Sequence, residues 1–232
     1  MIIGRGLIAN AFAGAFASAP DVVIFASGVS DSSETRPEAF EREERLLAQT
    51  LAGRPALLVY FGTCSVEDRE LVDTAYVRHK LRMEDRVRAS DHIVFRLPQV
   101  VGRTPNPATL TNYLFARITA GEPFGVWMNA WRNIIDIADV ARIAGHMIAG
   151  ERWRNRTLNV ACPDPVRVVD LVAIYERVLG ATANCERLER GERYTIDVTE
   201  AVRVAREIGI EFGSDYVEKV IRNYYGHRAV AP

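Results

Sequence analysis

The chain opens Ile2-Ile3-Gly4-Arg5-Gly6-Leu7-Ile8-Ala9 (IIGRGLIA), and the reading of this stretch decides the fold. Two β-branched residues make a very short strand, and glycines at 4 and 6 follow at once. The spacing Gly-x-Gly-x-x-Ala is one form of the turn that leads a parallel strand into a helix beneath a pyrophosphate. Gly4 allows a tight turn, Gly6 lets backbone approach a phosphate, and Ala9 lets the helix pack close to the strand. That helix runs through Ala11, Phe12 and Phe16 towards Ser18, and its first amides would face an anion. Taken alone, the stretch is a weak signal, and the lesser reading is a small-residue turn between any strand and helix.

The residues beyond this turn strengthen the pyrophosphate reading. Residues 21–26 (DVVIFA) form a buried-looking strand that ends in Ser27-Gly28. A polar loop leads to a helical pattern over 37–51, with Pro37 suited to its first turn. Gly53-Arg54-Pro55 breaks that helix. Residues 56–61 (ALLVYF) are the next strand, and Gly62-Thr63-Cys64-Ser65 is its polar end. A helix over 72–89 and a strand over 92–97 complete the series. Strand and helix alternating at this spacing predict a parallel sheet covered on both faces. Such sheets bind ligands at the carboxyl ends of their strands, where Gly4, Ser27, Thr63 and Pro98 all fall.

Beyond Pro98 the alternation loosens. Residues 101–107 read as a loop, 109–119 as a helix, and 126–128 and 133–135 as short strands. Helices are expected over 136–148, 166–179, 197–208 and 214–225, with a strand at 157–160 and a loose tail from Gly226. The expected organisation is a core of residues 1–100 plus about 125–160. A small second part takes about 101–124 and 161–232.

Within the helix over 72–89, Tyr76 and Lys80 stand four residues apart and so share a face. A nearby ammonium favours the ionised form of a phenol, so Lys80 would lower the pKa of Tyr76 and suit it to proton transfer. Only two of the 29 basic residues are lysines, Lys80 and Lys219, which makes an accidental Tyr-x-x-x-Lys less common here. His79 and His92 are read as packing or surface residues.

Composition excludes several classes. Net charge is −1, which gives no electrostatic reason to bind nucleic acid or an anionic membrane. No stretch has the length of apolar residues that a membrane span needs. Cys64, Cys162 and Cys185 form no Cys-x-x-Cys pair, so neither a disulfide framework nor a metal site is indicated. The start lacks the basic and cleavable features of a signal peptide, and a cytoplasmic setting is expected.

The ordered motifs together resemble the extended short-chain dehydrogenases/reductases, the NAD(P)-dependent sugar-nucleotide epimerases, dehydratases and ketoreductases. The glycine loop is residues 4–9, and residues 21–28 are similar to the strand beneath the cofactor ribose. Val59-Tyr60-Phe61-Gly62-Thr63-Cys64-Ser65-Val66 resembles the strand bearing a catalytic Ser or Thr, and Tyr76 to Lys80 the active-site Tyr-x-x-x-Lys. Phe95-Arg96-Leu97-Pro98-Gln99-Val100 looks like the segment beside the nicotinamide, and residues 132–141 like a later Asp-Val-Ala helix start.

The resemblance implies a Rossmann-like, doubly wound parallel sheet with a small C-terminal substrate-binding part. It implies Thr63, Tyr76 and Lys80 as catalytic residues. NAD or NADP would lie along Gly4, Arg5, Gly6, Leu7, Ile8, Ala26, Ser27, Gly28, Phe61, Gly62, Tyr76, Lys80, Pro98 and Val100. Cys64, Ser65, Asn112 and Arg132 would contact a nucleotide-sugar substrate, with Trp127 and Trp131 either walling the pocket or packing in the core. A homodimer is a further expectation of the resemblance.

The chain also departs from the family. Two strands and a helix that normally follow the first helix are missing, so the sheet is shortened on the adenosine side. The acid that grips the adenosine ribose has no clear counterpart; Asp31 or Glu34 could serve only if residues 22–26 were the second strand. Arg5 would favour NADP if it met a 2′-phosphate and is otherwise a turn arginine facing solvent. Two functions are therefore expected in competition. One is keto-sugar reduction or epimerisation with Tyr76 as acid/base. The other is binding of a nucleotide or nucleotide-sugar without redox chemistry.

Overall fold

A computed structural model describes residues 1–16 and 18–226 of the 232. The first half alternates as β1 (Ile2–Ile3), α1 (Leu7–Phe16), β2 (Val22–Phe25), α2 (Pro37–Ala52), β3 (Leu57–Thr63), α3 (Ala75–Arg88) and β4 (Ile93–Leu97). Then come β5 (Gln99–Val101), α4 (Leu110–Ala120), β6 (Phe124–Trp127), β7 (Trp131–Arg132), β8 (Ile134–Asp136), α5 (Ile137–Ala149) and β9 (Arg156–Asn159). The last elements are β10 (Val166–Arg167), α6 (Val168–Leu179), β11 (Cys185–Leu188), α7 (Thr199–Glu207) and α8 (Tyr216–Tyr225).

Local chemistry sets several boundaries. The helix expected from residue 72 begins at Ala75, because the Thr74 hydroxyl accepts the Val77 amide and so caps it. Asp136 caps α5 through the Ala138 amide, and α4 ends at Gly121 in a left-handed conformation. Residues 99–101, of which Val101 reads as the start of a loop, form β5 because β8 offers a parallel partner. β11 was not expected either; its polar sequence Cys-Glu-Arg-Leu shows no strand pattern, and pairing with β6 supplies what propensity does not. The expected tail beyond Gly226 lies outside the described residues.

β1, β2, β3, β4 and β9 form one parallel sheet in that order. Every step moves in the same direction, and β1 is an edge, as the missing strands require. Alternate residues serve opposite faces. Ile24, Val59, Phe61, Ile93 and Phe95 face α1 and α5, whose Phe12, Val140, Ile143 and Met147 fill that side. Phe25, Leu58, Tyr60 and Val94 face α2 and α3, against Leu47, Met83 and Val87. A second core gathers α4, β6, α6 and α8 around Leu114, Val126, Leu171, Tyr175 and Ile221.

These layers carry a topological consequence. The units β1–α1–β2 and β2–α2–β3 step the same way but place their helices on opposite faces, so they have opposite hands. One of them departs from the right-handed rule. The sheet is thus doubly wound although, among the described residues, its strand order never reverses. Because α1 and α2 leave neighbouring strands for opposite faces, a crevice opens beyond the carboxyl ends, which is where such sheets take ligands.

Candidate active site

A cavity of about 420 Å³ occupies that crevice. Its walls include Arg5, Gly6, Leu7 and Ile8 from the first turn, Ala26, Ser27 and Gly28 after β2, and Phe61, Gly62, Thr63 and Ser65 at β3. Tyr76 and Lys80 of α3 join them, with Pro98 and Val100 after β4. Fifteen of the residues implied by the resemblance therefore share one cavity. Four do not. Gly4 has φ +131°, and a side chain there would collide with the Ala26 carbonyl, so its glycine serves the close approach of β1 and β2. Cys64 is fully buried with Sγ 4.0 Å from Asn159 Oδ1, and burial pushes its thiol well above the ordinary range.

Asn112 is also spent elsewhere. Its Nδ2 donates to the carbonyls of Thr104 (3.0 Å) and Asn106 (2.8 Å), and its Oδ1 accepts from Tyr225 (2.8 Å). It holds the loop of which Thr104 and Asn106 themselves line the cavity. Arg132 donates from Nη1 to the Trp131 carbonyl (2.7 Å) and lies outside the walls. Trp131 borders a separate small pocket with the Arg193 guanidinium 4.7 Å over its ring, and Trp127 is partly exposed.

Thr63 and Tyr76 are both buried. The Thr63 hydroxyl accepts the Ser65 amide at 3.1 Å and caps the short turn after β3. Burial pushes the Tyr76 phenol up to about 12, with a bond to Thr63 the chief opposing effect. This corrects the expectation that Lys80 lowers Tyr76. Lys80 Nζ lies 5.9 Å from the Tyr76 ring centre, but its charge is already matched. It donates to Glu43 Oε1 at 3.0 Å and contacts Tyr60 Oη at 3.3 Å.

Glu43 is the residue sequence reasoning missed. Its carboxylate has no exposed surface and also accepts from Tyr60 Oη (2.6 Å) and the Val29 amide (2.6 Å), with His79 Nε2 at 3.0 Å. Burial alone would raise its pKa; Lys80 first, then His79, Tyr60 and the Val29 amide, outweigh burial and hold it well below the carboxylate range. The signal was present: in α2, Glu43 continues the buried stripe of Phe40 and Leu47. A carboxylate on an apolar stripe demands a partner. Arg42, also missed, donates to the Ser27 carbonyl (2.9 Å) and Oγ (3.2 Å) and lines the cavity. Among the described residues, the walls carry Arg5, Arg42 and Lys80 but no Asp or Glu. The alternative ribose acids stand apart from the walls: Asp31 accepts the Ser33 amide, and Glu34 pairs with Arg36.

A sheet with helices on both faces and a cationic crevice at its carboxyl ends defines a Rossmann-like nucleotide-binding protein. Residues 7–161 match the NAD dependent epimerase/dehydratase family, and the chain belongs to that family. Solved structures agree in fold. UDP-glucose 4-epimerase of Thermus thermophilus, in complex with NAD, superposes with a TM-score of 0.69 at 13% identity, over 96% of this chain and 84% of that one. RMD from Pseudomonas aeruginosa, complexed with NADPH, gives 0.64 at 16% identity, over 97% and 89%. The dTDP-glucose 4,6-dehydratase of Bacillus anthracis, in complex with NAD, gives 0.68 at 15% identity, over 95% and 77%. No curated protein sequence matches the chain. No helix among the described residues is long and apolar enough to cross a membrane.

Proposed function

We propose that the chain is an NAD(P)-dependent oxidoreductase acting on a nucleotide-linked sugar, and that it reduces a keto-sugar with Tyr76 as proton donor. The observation that carries this is the meeting of Thr63, Tyr76 and Lys80 in one cavity with the glycine turn. The walls fit a dinucleotide at its phosphate and ring ends. Apart from its own chain neighbours, no atom lies within 4 Å of where a Gly6 side chain would begin, so backbone is open to the cavity there. The first amides of α1, at Gly6, Leu7 and Ile8, would hold the pyrophosphate, and Phe61, Pro98 and Val100 would flank the ring. Lys80 Nζ has three acceptors in the protein, Glu43 Oε1 and Oε2 and Tyr60 Oη, so it would reach ribose hydroxyls by giving up the longest of these bonds, 3.4 Å to Glu43 Oε2. The cofactor, when bound, supplies hydride to the carbonyl carbon.

The protonation state of the phenol bears on which step the site suits. Tyr76, pushed up to about 12, is neutral near pH 7. A neutral phenol gives its proton readily to the oxygen of a carbonyl being reduced, and the Thr63 hydroxyl can bond the same oxygen. It is a poor base towards a sugar hydroxyl, which an epimerase must first deprotonate. Reduction is therefore the better-supported step. Arg5 and Arg42, with no facing carboxylate among the described wall residues, favour NADPH over NADH. Two of the three similar proteins are nucleotide-sugar enzymes by name, which supports that substrate class.

The deciding experiment measures NADPH oxidation with UDP- and dTDP-linked keto-sugars. Tyr76→Phe is expected to lose roughly 10²–10⁴-fold in turnover while still folding. Full turnover in that variant overturns the mechanism. The Lys80–Glu43 pair favours a second reading, nucleotide binding without redox chemistry. Under that reading NADPH fluorescence does not change on adding protein, with or without nucleotide sugars.

A further inference from the structure

We propose that Glu43 is a positioning residue of this site: it holds the ammonium of Lys80 in place, so that Lys80 meets the cavity as a fixed hydrogen-bond donor beside the neutral Tyr76. The proposal deepens the role given to Tyr76 above and rests on that reading for its catalytic meaning.

The geometry supports it from three directions. First, the Glu43 carboxylate is surrounded by donors: Lys80 Nζ at 3.0 and 3.4 Å, Tyr60 Oη, the Val29 amide and His79 Nε2. A buried carboxylate so bonded stays ionised, and it pairs at contact distance with the ammonium beside the phenol. Second, the pair is locked in place. A side chain at Gly28 would collide with Lys80 Nζ and lie 2.8 Å from Glu43 Oε1, so the bare backbone of Gly28 closes over the pair. Third, the elements that carry the pair also carry the site. Glu43 follows Arg42, which grips Ser27, and Lys80 stands one turn along α3 from Tyr76.

An ammonium and a carboxylate in contact act on their surroundings as a dipole, whose field falls faster with distance than that of a lone charge. At the Tyr76 ring, 5.9 Å from Nζ, the cation is largely offset. The other groups that face this cluster do not replace it. Glu84 on α3 is neutralised by Arg96, Arg42 on α2 is turned to Ser27, and Asp31 and Cys64 oppose ionisation of the phenol. His79 stacks 4.7 Å from Phe40 and has no further partner at Nδ1.

The test is a titration of the full chain labelled with 13Cε-lysine, with Lys219→Arg assigning the Lys80 resonance. In Glu43→Gln Lys80 loses its counter-charge while burial still opposes the ammonium, and it should give up its proton at least tenfold more readily. An unchanged titration in folded Glu43→Gln overturns the proposal. No substrate is needed, so failure of the redox reading, seen as no turnover, is distinguishable from failure of this one. With turnover, the alkaline limb of kcat/KM should move to lower pH in Glu43→Gln.

Discussion

Glu84 Oε1 occupies the space that a side chain at Gly62 would need. The carboxylate has no exposed surface and takes Arg96 through Nε (3.1 Å) and Nη2 (2.8 Å), so α3 is latched to β4 across the bare backbone of β3. The latch fixes the helix that carries Tyr76. Gly62→Ala must push the carboxylate off its guanidinium, and we expect a loss of about 1–3 kcal/mol in urea unfolding. A variant as stable as the natural chain would show that α3 shifts freely.

Thr63 separates chemistry from structure. Thr63→Val keeps the shape but removes the acceptor of the Ser65 amide and the hydroxyl beside Tyr76. Stability should fall by about 1 kcal/mol, and turnover by roughly 10²-fold with little change in KM. Thr63→Ser should restore most of the turnover. A rise in KM alone would assign Thr63 to substrate binding.

Arg42 tests cofactor choice. Arg42→Met removes a guanidinium from the wall and frees Ser27. NADPH affinity, read by fluorescence, should drop roughly tenfold or more, the scale of a charged hydrogen bond. NADH affinity should drop less, so that the preference narrows. Equal losses for both would place Arg42 in support of the 27–30 loop only.

His92 makes stability depend on pH. Its Nδ1 accepts the Leu58 amide at 3.2 Å, which only a neutral ring can do, and burial lowers its pKa. The unfolded chain therefore binds the proton more readily than the folded one. Stability from this group is complete above about pH 6.5 and is lost as pH falls from there through the lowered folded value. Urea midpoints between pH 7 and pH 5 should fall less in His92→Gln than in the natural chain. An identical slope would exclude His92 as the source.

The fold was legible because its signals are local. β-branched runs, glycine breaks and helix periodicity are all written within ten or twenty residues, and they place Gly6, Ser27, Thr63, Tyr76 and Pro98 at one sheet end. Helical spacing rightly turns the Lys80 side chain towards Tyr76 yet wrongly makes it a free cation. Its partner Glu43 is 37 residues away on another helix, and spacing within α3 carries no trace of it. Cys64 and Asn112 illustrate the same limit. Chain order places them beside the site, but rotation into the core takes the first, and a bond from Tyr225, 113 residues on, takes the second. β11 was hidden because its pairing with β6 is a tertiary matter.

The unusual side on which α1 lies has a consequence for how the protein is made. Phe12 packs 5.3 Å from Phe61 and shares its layer with Ile143 and Met147 of α5. The first helix of the chain thus completes its cover only when residues some 130 positions later have emerged. The opening strand can pair with β2 as soon as that strand emerges, but the outer side of α1 waits for α5. The helix that begins at Leu7 gains its full cover only after α3, with its Tyr76, has been made.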